Sequence, residues 1–204
     1  MDTISNEDLS VHQKMTEKRK AGYDKKQAKA SKEKGLLIVN TGPGKGKTTA
    51  AFGMALRAVG HGMQVGVVQF IKGAMATAER DVFQRFDNVS FHSIGDGFTW
   101  NTQNKEQDIA TAKRAWDKAA SMLVDPKFDM IVLDELNHIL KYEYLDIHAV
   151  LETIAKRRDD CHVIVTGRNA PQAVIDAADL VSEIRAIKHP YKDQGIKAQR
   201  GVEF

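Results

Sequence analysis

Cysteine is nearly absent: Cys161 stands alone in 204 residues, which excludes an internal disulfide and any multi-cysteine zinc site. Placed at the start of an apolar run, it reads as an inert buried thiol. No apolar run approaches the roughly 20 residues of a membrane span, and the N-terminus is too polar for a signal peptide. A cytoplasmic location without membrane contact is the expectation. The seven histidines show no recurrent ligand spacing, so no transition-metal site built by the protein is expected. There is no G-x-S-x-G nucleophile elbow and no internal repeat. Basic charge is also scarce where it would matter. The net +3 arises in residues 1–34, with nine Lys/Arg against six Asp/Glu, while residues 35–204 balance at 21 against 21. A nucleic-acid-binding domain usually carries a basic face on its folded body, so no nucleic-acid partner is expected.

What is present is ordinary for a globular chain, 42% hydrophobic and 28% charged, and long enough for one substantial core. Residues 1–34 form a charged N-terminal segment with sparse apolar positions (Val11, Met15, Tyr23), expected to be a mobile helix or disordered extension. Residues 35–204 form the domain. It is organised around Leu36–Thr49, LLIVNTGPGKGKTT. Leu36–Val39 reads as a strand buried on both faces. Gly42, Pro43, Gly44, Lys45 and Gly46 follow, then Lys47, Thr48 and Thr49. Phe52, Ala55, Leu56 and Val59 then fall on one stripe of a helix. Strand, glycine loop and helix are the context of a phosphate-binding loop, where backbone N–H groups and the helix N-terminus meet an anion. Lys47 would reach the outer phosphates and the Thr48 hydroxyl would complete a Mg²⁺ shell. Thr41 stands where the usual G-x-x-x-x-G-K-[ST] pattern has its first glycine, a departure bearing on how phosphates sit rather than whether they bind.

Further strands are expected at Gln64–Ile71, Val89–Ile94, Phe128–Leu133, His162–Thr166 and Leu180–Ile187. Helices are expected at Ala78–Phe86, Asn104–Val124, Asp146–Arg158 and from about Pro171. This alternation predicts an α/β fold with a mainly parallel sheet flanked by helices. Ligands in such sheets sit beyond the carboxyl ends of the strands. Lys47, Thr48, Lys72, Asp134, Glu135 and Arg168 would all gather there.

MIVLDE, Met130–Glu135, is an apolar strand ending in two acids. Alone, such a pair serves as well as a helix N-cap. Beside a glycine loop, Asp134 and Glu135 become the candidate metal-handling acids, their roles undivided. Gly95–Trp100, GDGFTW, puts Phe98 and Trp100 in a glycine-flanked loop, either as a core plug or facing a ligand. Arg168 offers either a fork of donors to phosphate or a surface ion pair. On these residues an ATP-hydrolysing RecA-like module acting on a partner or nucleic acid, and a small-molecule kinase, remain open.

TGPGKGKTTAAFGMALRAVGHG, VGVVQFIKG, GFTWNTQN, MIVLDEL, VIVTGR and GIKAQRGVEF, in this order, closely resemble the ATP:corrinoid adenosyltransferases of the CobA/CobO/BtuR type. That family shares the shortened loop. The resemblance implies a RecA-like P-loop fold, usually a homodimer, using MgATP (or Mn²⁺) and a reduced corrinoid. Co(I) would attack the ribose C5′ of ATP, giving an adenosylcorrinoid and triphosphate. It implies that Lys47, Arg168 and the loop from Gly42 to Thr49 bind the nucleotide, that Thr48, Asp134 and Glu135 handle the metal, and that Phe98 and Trp100 press on the lower corrin face. A reduced flavoprotein would donate the electron. In family members the N-terminal segment can fold over the site.

Overall fold

The computed structural model describes residues 6–71, 78–95 and 104–203. They divide into two compact units, residues 1–33 and 34–204. The first contains one long helix, α1 (Asn6–Gln27), whose few apolar residues share no stripe; Met15 and Tyr23 are exposed.

The second unit is built on six strands: β1 (Leu37–Thr41), β2 (Val65–Gln69), β3 (Val89–Ser93), β4 (Met130–Asp134), β5 (His162–Thr166) and β6 (Leu180–Glu183). All pair in parallel, in the order β3-β2-β4-β5-β1-β6. The connecting helices are α2 (Lys47–Gly60), α3 (Ala78–Phe83), α4 (Lys105–Leu123), α5 (Leu136–Lys141), α6 (Ile147–Ala155), α7 (Gln172–Ala177) and α8 (Pro190–Gln194). This is an α/β fold of the RecA-like P-loop type, the glycine-loop strand β1 separated from the acid-bearing strand β4 by β5.

Strand alternation splits the core in two. Ile38, Val65, Val67, Met130, Val132 and Ile164 face α2, and Phe52, Phe83 and Phe91 pack there with ring centroids 5.3–6.1 Å apart. Leu37, Val39, Val68, Ile131, Leu133, Val163 and Val165 face α4 and α6 on the other side. The four inner strands, covered on both faces, need largely apolar runs, which is how β1, β2, β4 and β5 read in the sequence. The edge strands β3 and β6 are more polar and less buried. Caps set the helix starts: the Asn104 side chain accepts from Gln107 N–H at 3.2 Å, and Asp146 accepts from Ala149 N–H at 2.8 Å.

Three sequence expectations change. The inner face of α2 is Ala51, Phe52, Ala55 and Ala58, with Leu56 half exposed, because alanines bring the helix closer to the sheet than a leucine stripe could. Helix α5, directly after the acid pair, and α8, in the C-terminal tail, were not foreseen. The signal for α5 was Leu136, Ile139 and Leu140 at helical spacing, all buried. The last strand is short, ending at Glu183 rather than Ile187, where the Ile184 carbonyl instead accepts from Gly44 N–H of the glycine loop.

Cys161 is buried, and burial pushes its thiol up to about 11. At pH 8 this leaves about 100-fold fewer thiolates than an ordinary cysteine would have. The native protein should therefore resist iodoacetamide and become labelled on denaturation, which mass spectrometry of the Cys161 peptide will read.

Candidate functional site

The carboxyl edge of the sheet carries one row of polar residues in a single register. Ser93 pairs with Gln69, Gln69 with Asp134, Thr166 with Asn40 and Asn40 with Ser182. Alternation places Asn40, Gln69, Asp134 and Thr166 on the α2 side, just beyond the apolar residues of that face, and all four are buried. Helix α2 begins against this row, so its first turn meets the acid. The Thr48 hydroxyl donates to Asp134 Oδ1 at 2.8 Å, and the Thr166 hydroxyl donates to the same oxygen at 2.7 Å. The Gln69 amide donates to Asp134 Oδ2 at 2.9 Å. Glu135 follows with φ 65°, in the left-handed region, its N–H donating to Thr166 Oγ1 at 2.9 Å.

The glycine loop lies over this row. Gly46 has φ 107°, open to glycine and strained for other residues, and it delivers the chain into α2. Gly44 is fixed differently: a Cβ there would lie 2.7 Å from the carbonyl oxygens of Ile184 and Arg185. Gly44 N–H donates to Ile184 O at 2.7 Å, and Ile184 N–H donates to Thr41 O at 2.8 Å. Lys47 is buried and its ammonium donates to Gly44 O. Burial holds that ammonium below the usual lysine range; Glu135 and Asp134 oppose the shift, while Arg168 and Lys45 add to it. Lys45 pairs with Glu203 at 2.7 Å. Lys45, Asp134, Glu135 and Arg168 thus all lie within electrostatic reach of Lys47, with Thr48 bonded to the acid.

Pro43 and Thr49 are exposed beside this group, and Gly42, with φ 99°, is buried beneath it. Lys72, Phe98 and Trp100 lie outside the described residues. Gly95, the last described residue before Phe98 and Trp100, packs closely: a Cβ there would come within 2.4 Å of the Ile71 carbonyl carbon. Gln69, Ser93, Thr166 and Asn40 were missed by the sequence reading. Their signal was positional: each apolar strand run ends in a polar residue, but only the register shows that these ends align.

A cradle of loop amides with converging lysines and an arginine suits a polyphosphate. Thr48 and Asp134 present oxygen only, the chemistry of a hard cation that completes its shell with phosphate and water. The Thr48 hydroxyl lies 2.8 Å from Asp134 Oδ1, close enough for both oxygens to share one such cation, so the residues present fit Mg²⁺.

The family model for ATP:corrinoid adenosyltransferase BtuR/CobO/CobP matches residues 33–204. The chain belongs to that family. It is a corrinoid adenosyltransferase, a transferase that uses ATP and a corrinoid in cobalamin biosynthesis. It is 53% identical to the corrinoid adenosyltransferase of Pseudomonas aeruginosa over 95% of each chain. It is 47% identical to that of a Sinorhizobium species, over 98% of this chain and 94% of the relative. Corrinoid adenosyltransferase CobA of Salmonella typhimurium is 46% identical, over 95% and 97%. Among solved structures, flagellar accessory protein FlaH from Methanocaldococcus jannaschii is similar with a TM-score of 0.49 and 11% identity. That match covers 78% of the adenosyltransferase and 74% of FlaH, and bears no weight on function. Among the described residues no helix of the adenosyltransferase is long and apolar enough to cross a membrane.

Proposed function

We propose that this adenosyltransferase moves the 5′-deoxyadenosyl group of ATP onto the Co(I) of a reduced corrinoid and releases inorganic triphosphate. The observation that carries this reading is a glycine loop whose buried Lys47 has Lys45 and Arg168 within electrostatic reach, beside an Asp134 that accepts from the Thr48 hydroxyl. The cobalt electron pair forms the Co–C5′ bond, the C5′–O5′ bond breaks, and its electron pair leaves on the triphosphate oxygen. Negative charge therefore grows on the leaving group, where preorganised donors act most strongly.

In this reading the loop amides from Gly42 to Thr49, with Lys47 and Arg168, hold the triphosphate and take up its developing charge. Bound Mg²⁺ would be held by Thr48, Asp134 and Glu135 and would supply further neutralisation of the phosphate oxygens. Activating water would waste ATP. Both Asp134 oxygens already accept from Thr48, Thr166 and Gln69, an arrangement that suits a fixed ligand better than a general base. The ATPase and kinase alternatives are not favoured. A homodimer fed by a reduced flavoprotein completes the reading.

Anaerobic incubation with MgATP and chemically reduced corrinoid tests it. A light-sensitive organocobalt spectrum and one triphosphate per adenosyl group are expected. ADP with orthophosphate, and no change at cobalt, overturns the reading.

Phe98 and Trp100 are assigned to the lower corrin face, where displacing the axial donor makes Co(II) easier to reduce. Phe98→Ala and Trp100→Ala should lose most activity when Co(II) must be reduced on the enzyme, and least when free Co(I) is supplied. Equal losses in the two assays remove the aromatics from this role.

A further inference from the structure

We propose that Gln69, itself held by Ser93, is a positioning residue: it fixes the rotation of the Asp134 carboxylate and so sets how tightly the site takes its divalent cation. This rests on the reading that Asp134 handles that cation.

Gln69 ends β2 and is 1% exposed, so its amide has no water to fall back on. Polar groups this deep cost free energy unless both ends find partners. Here both do. Gln69 Nε2 donates to Asp134 Oδ2 at 2.9 Å, and Gln69 Oε1 accepts from the Ser93 hydroxyl at 2.7 Å. The Asp134 carboxylate, which as an anion can only accept, fixes which way round the amide sits. With Nε2 on the carboxylate, Oε1 faces the Ser93 hydroxyl, which donates to it and holds the side chain in place. Turned over, the amide would set oxygen against oxygen in a buried position.

The Asp134 carboxylate is consequently pinned at both ends. Oδ2 is tied to Gln69 on the β2 side, and Oδ1 is presented to Thr48 and Thr166. The plane of the carboxylate is thus set by three donors from β2, β5 and the first turn of α2. Only Thr48 belongs to the phosphate-binding loop. Without the Gln69 amide, the buried Oδ2 would lack a donor and the carboxylate would rotate to share those remaining. Oδ1 would then leave the line to Thr48, where a cation bound to that hydroxyl must meet it. Partners that orient a ligand in this way are typically worth about 10-fold or more in metal affinity.

Calorimetric titration of the full chain with ATP, once with saturating Mg²⁺ and once with EDTA, tests the proposal without turnover. Gln69→Met keeps the volume and removes the donor. It should weaken ATP binding about 10-fold in Mg²⁺ while leaving binding in EDTA as in wild type. Ser93→Ala, which leaves Oε1 without its donor and loosens the amide's hold on Asp134, should move the same ratio in the same direction by less. Equal weakening in Mg²⁺ and EDTA, or a lower Tm with the ratio unchanged, overturns the proposal and leaves Gln69 a packing residue. If Gln69→Met does not fold, Ser93→Ala decides by the same criterion. Asp134→Asn separates this inference from the reading beneath it. If that variant keeps the full Mg²⁺ advantage, the cation role of Asp134 fails. If it loses the advantage while Gln69→Met retains it, only the positioning role fails.

Discussion

Lys47→Ala should lower adenosylcorrinoid formation by about 1,000-fold while the protein remains folded. The two halves of this expectation have separate causes. Lys47 is the buried cation of the loop, its ammonium on the Gly44 carbonyl and close to Glu135 and Asp134. A triphosphate entering the cradle offers that ammonium a far better acceptor than a backbone carbonyl. The gain grows as the C5′–O5′ bond breaks and charge accumulates on oxygen, so the loss should appear mainly in kcat and less in the KM for ATP. Stability behaves differently, because burial penalises the charged form. With the pKa lowered below 10.5, the unfolded chain holds the Lys47 proton in the window between the lowered value and 10.5 where the folded chain has lost it. Stability contributed by this group therefore rises with pH through that window, and at neutral pH the charged lysine is a cost. Lys47→Met, which keeps the apolar stem, should match or exceed the wild-type Tm at pH 7, and its advantage should vanish above pH 10.5. A Tm well below wild type at pH 7, or near-normal turnover in Lys47→Ala, would remove Lys47 from the centre of the site.

The contrast between Lys47 and Gln69 shows what a sequence can disclose. Lys47 sits in a local pattern: the strand before it, the glycines around it and the helix after it form one continuous stretch, Leu37–Gly60. The same is true of Thr48 and of the acids ending β4. Strand periodicity and glycine punctuation therefore led to the sheet, to its carboxyl edge and to the residues gathered there. Ser93, Gln69, Thr166 and Asn40 follow another logic. They come from four strands far apart in the chain, and they matter because the parallel register brings them side by side. No periodicity within one strand encodes the register between two. For the same reason the ending of β6 was misplaced. Leu180–Ile187 can be read as one strand, but the Ile184 carbonyl accepts from Gly44 N–H in the glycine loop and pairing with β1 ends at Glu183. Helix α5 failed for a different cause, being only six residues long and pressed directly against the acid pair.

The close approach of Ile184 and Arg185 makes Gly44→Ala the most damaging small substitution expected in the loop. Gly44 does not have a positive φ, so an alanine is conformationally acceptable there; the obstacle is contact. The added methyl would lie 2.7 Å from two backbone carbonyl oxygens, and no flexible side chain can move aside to relieve it. The 184–185 segment must retreat, taking with it the Gly44 N–H···O bond to Ile184 and the Ile184 N–H···O bond to Thr41. Overpacking of this kind costs about 1–3 kcal/mol, which in a domain of this size lowers Tm by roughly 2–10 °C. Because the displaced atoms are the floor of the phosphate cradle, ATP affinity should fall as well, by about 100-fold. Gly46→Ala isolates the other requirement. Its methyl would meet nothing within 4 Å, yet its φ of 107° is costly for any residue with a Cβ. The expected cost is about 1–3 kcal/mol of local strain, relieved by a shift of the loop alone. Gly46→Ala should thus weaken ATP binding while leaving the 184–185 segment protected, whereas Gly44→Ala should accelerate amide exchange at Ile184. Amide hydrogen exchange on the two variants reads this directly. Unchanged protection at Ile184 in Gly44→Ala, with normal ATP affinity, would mean that the segment after β6 does not hold the loop in place.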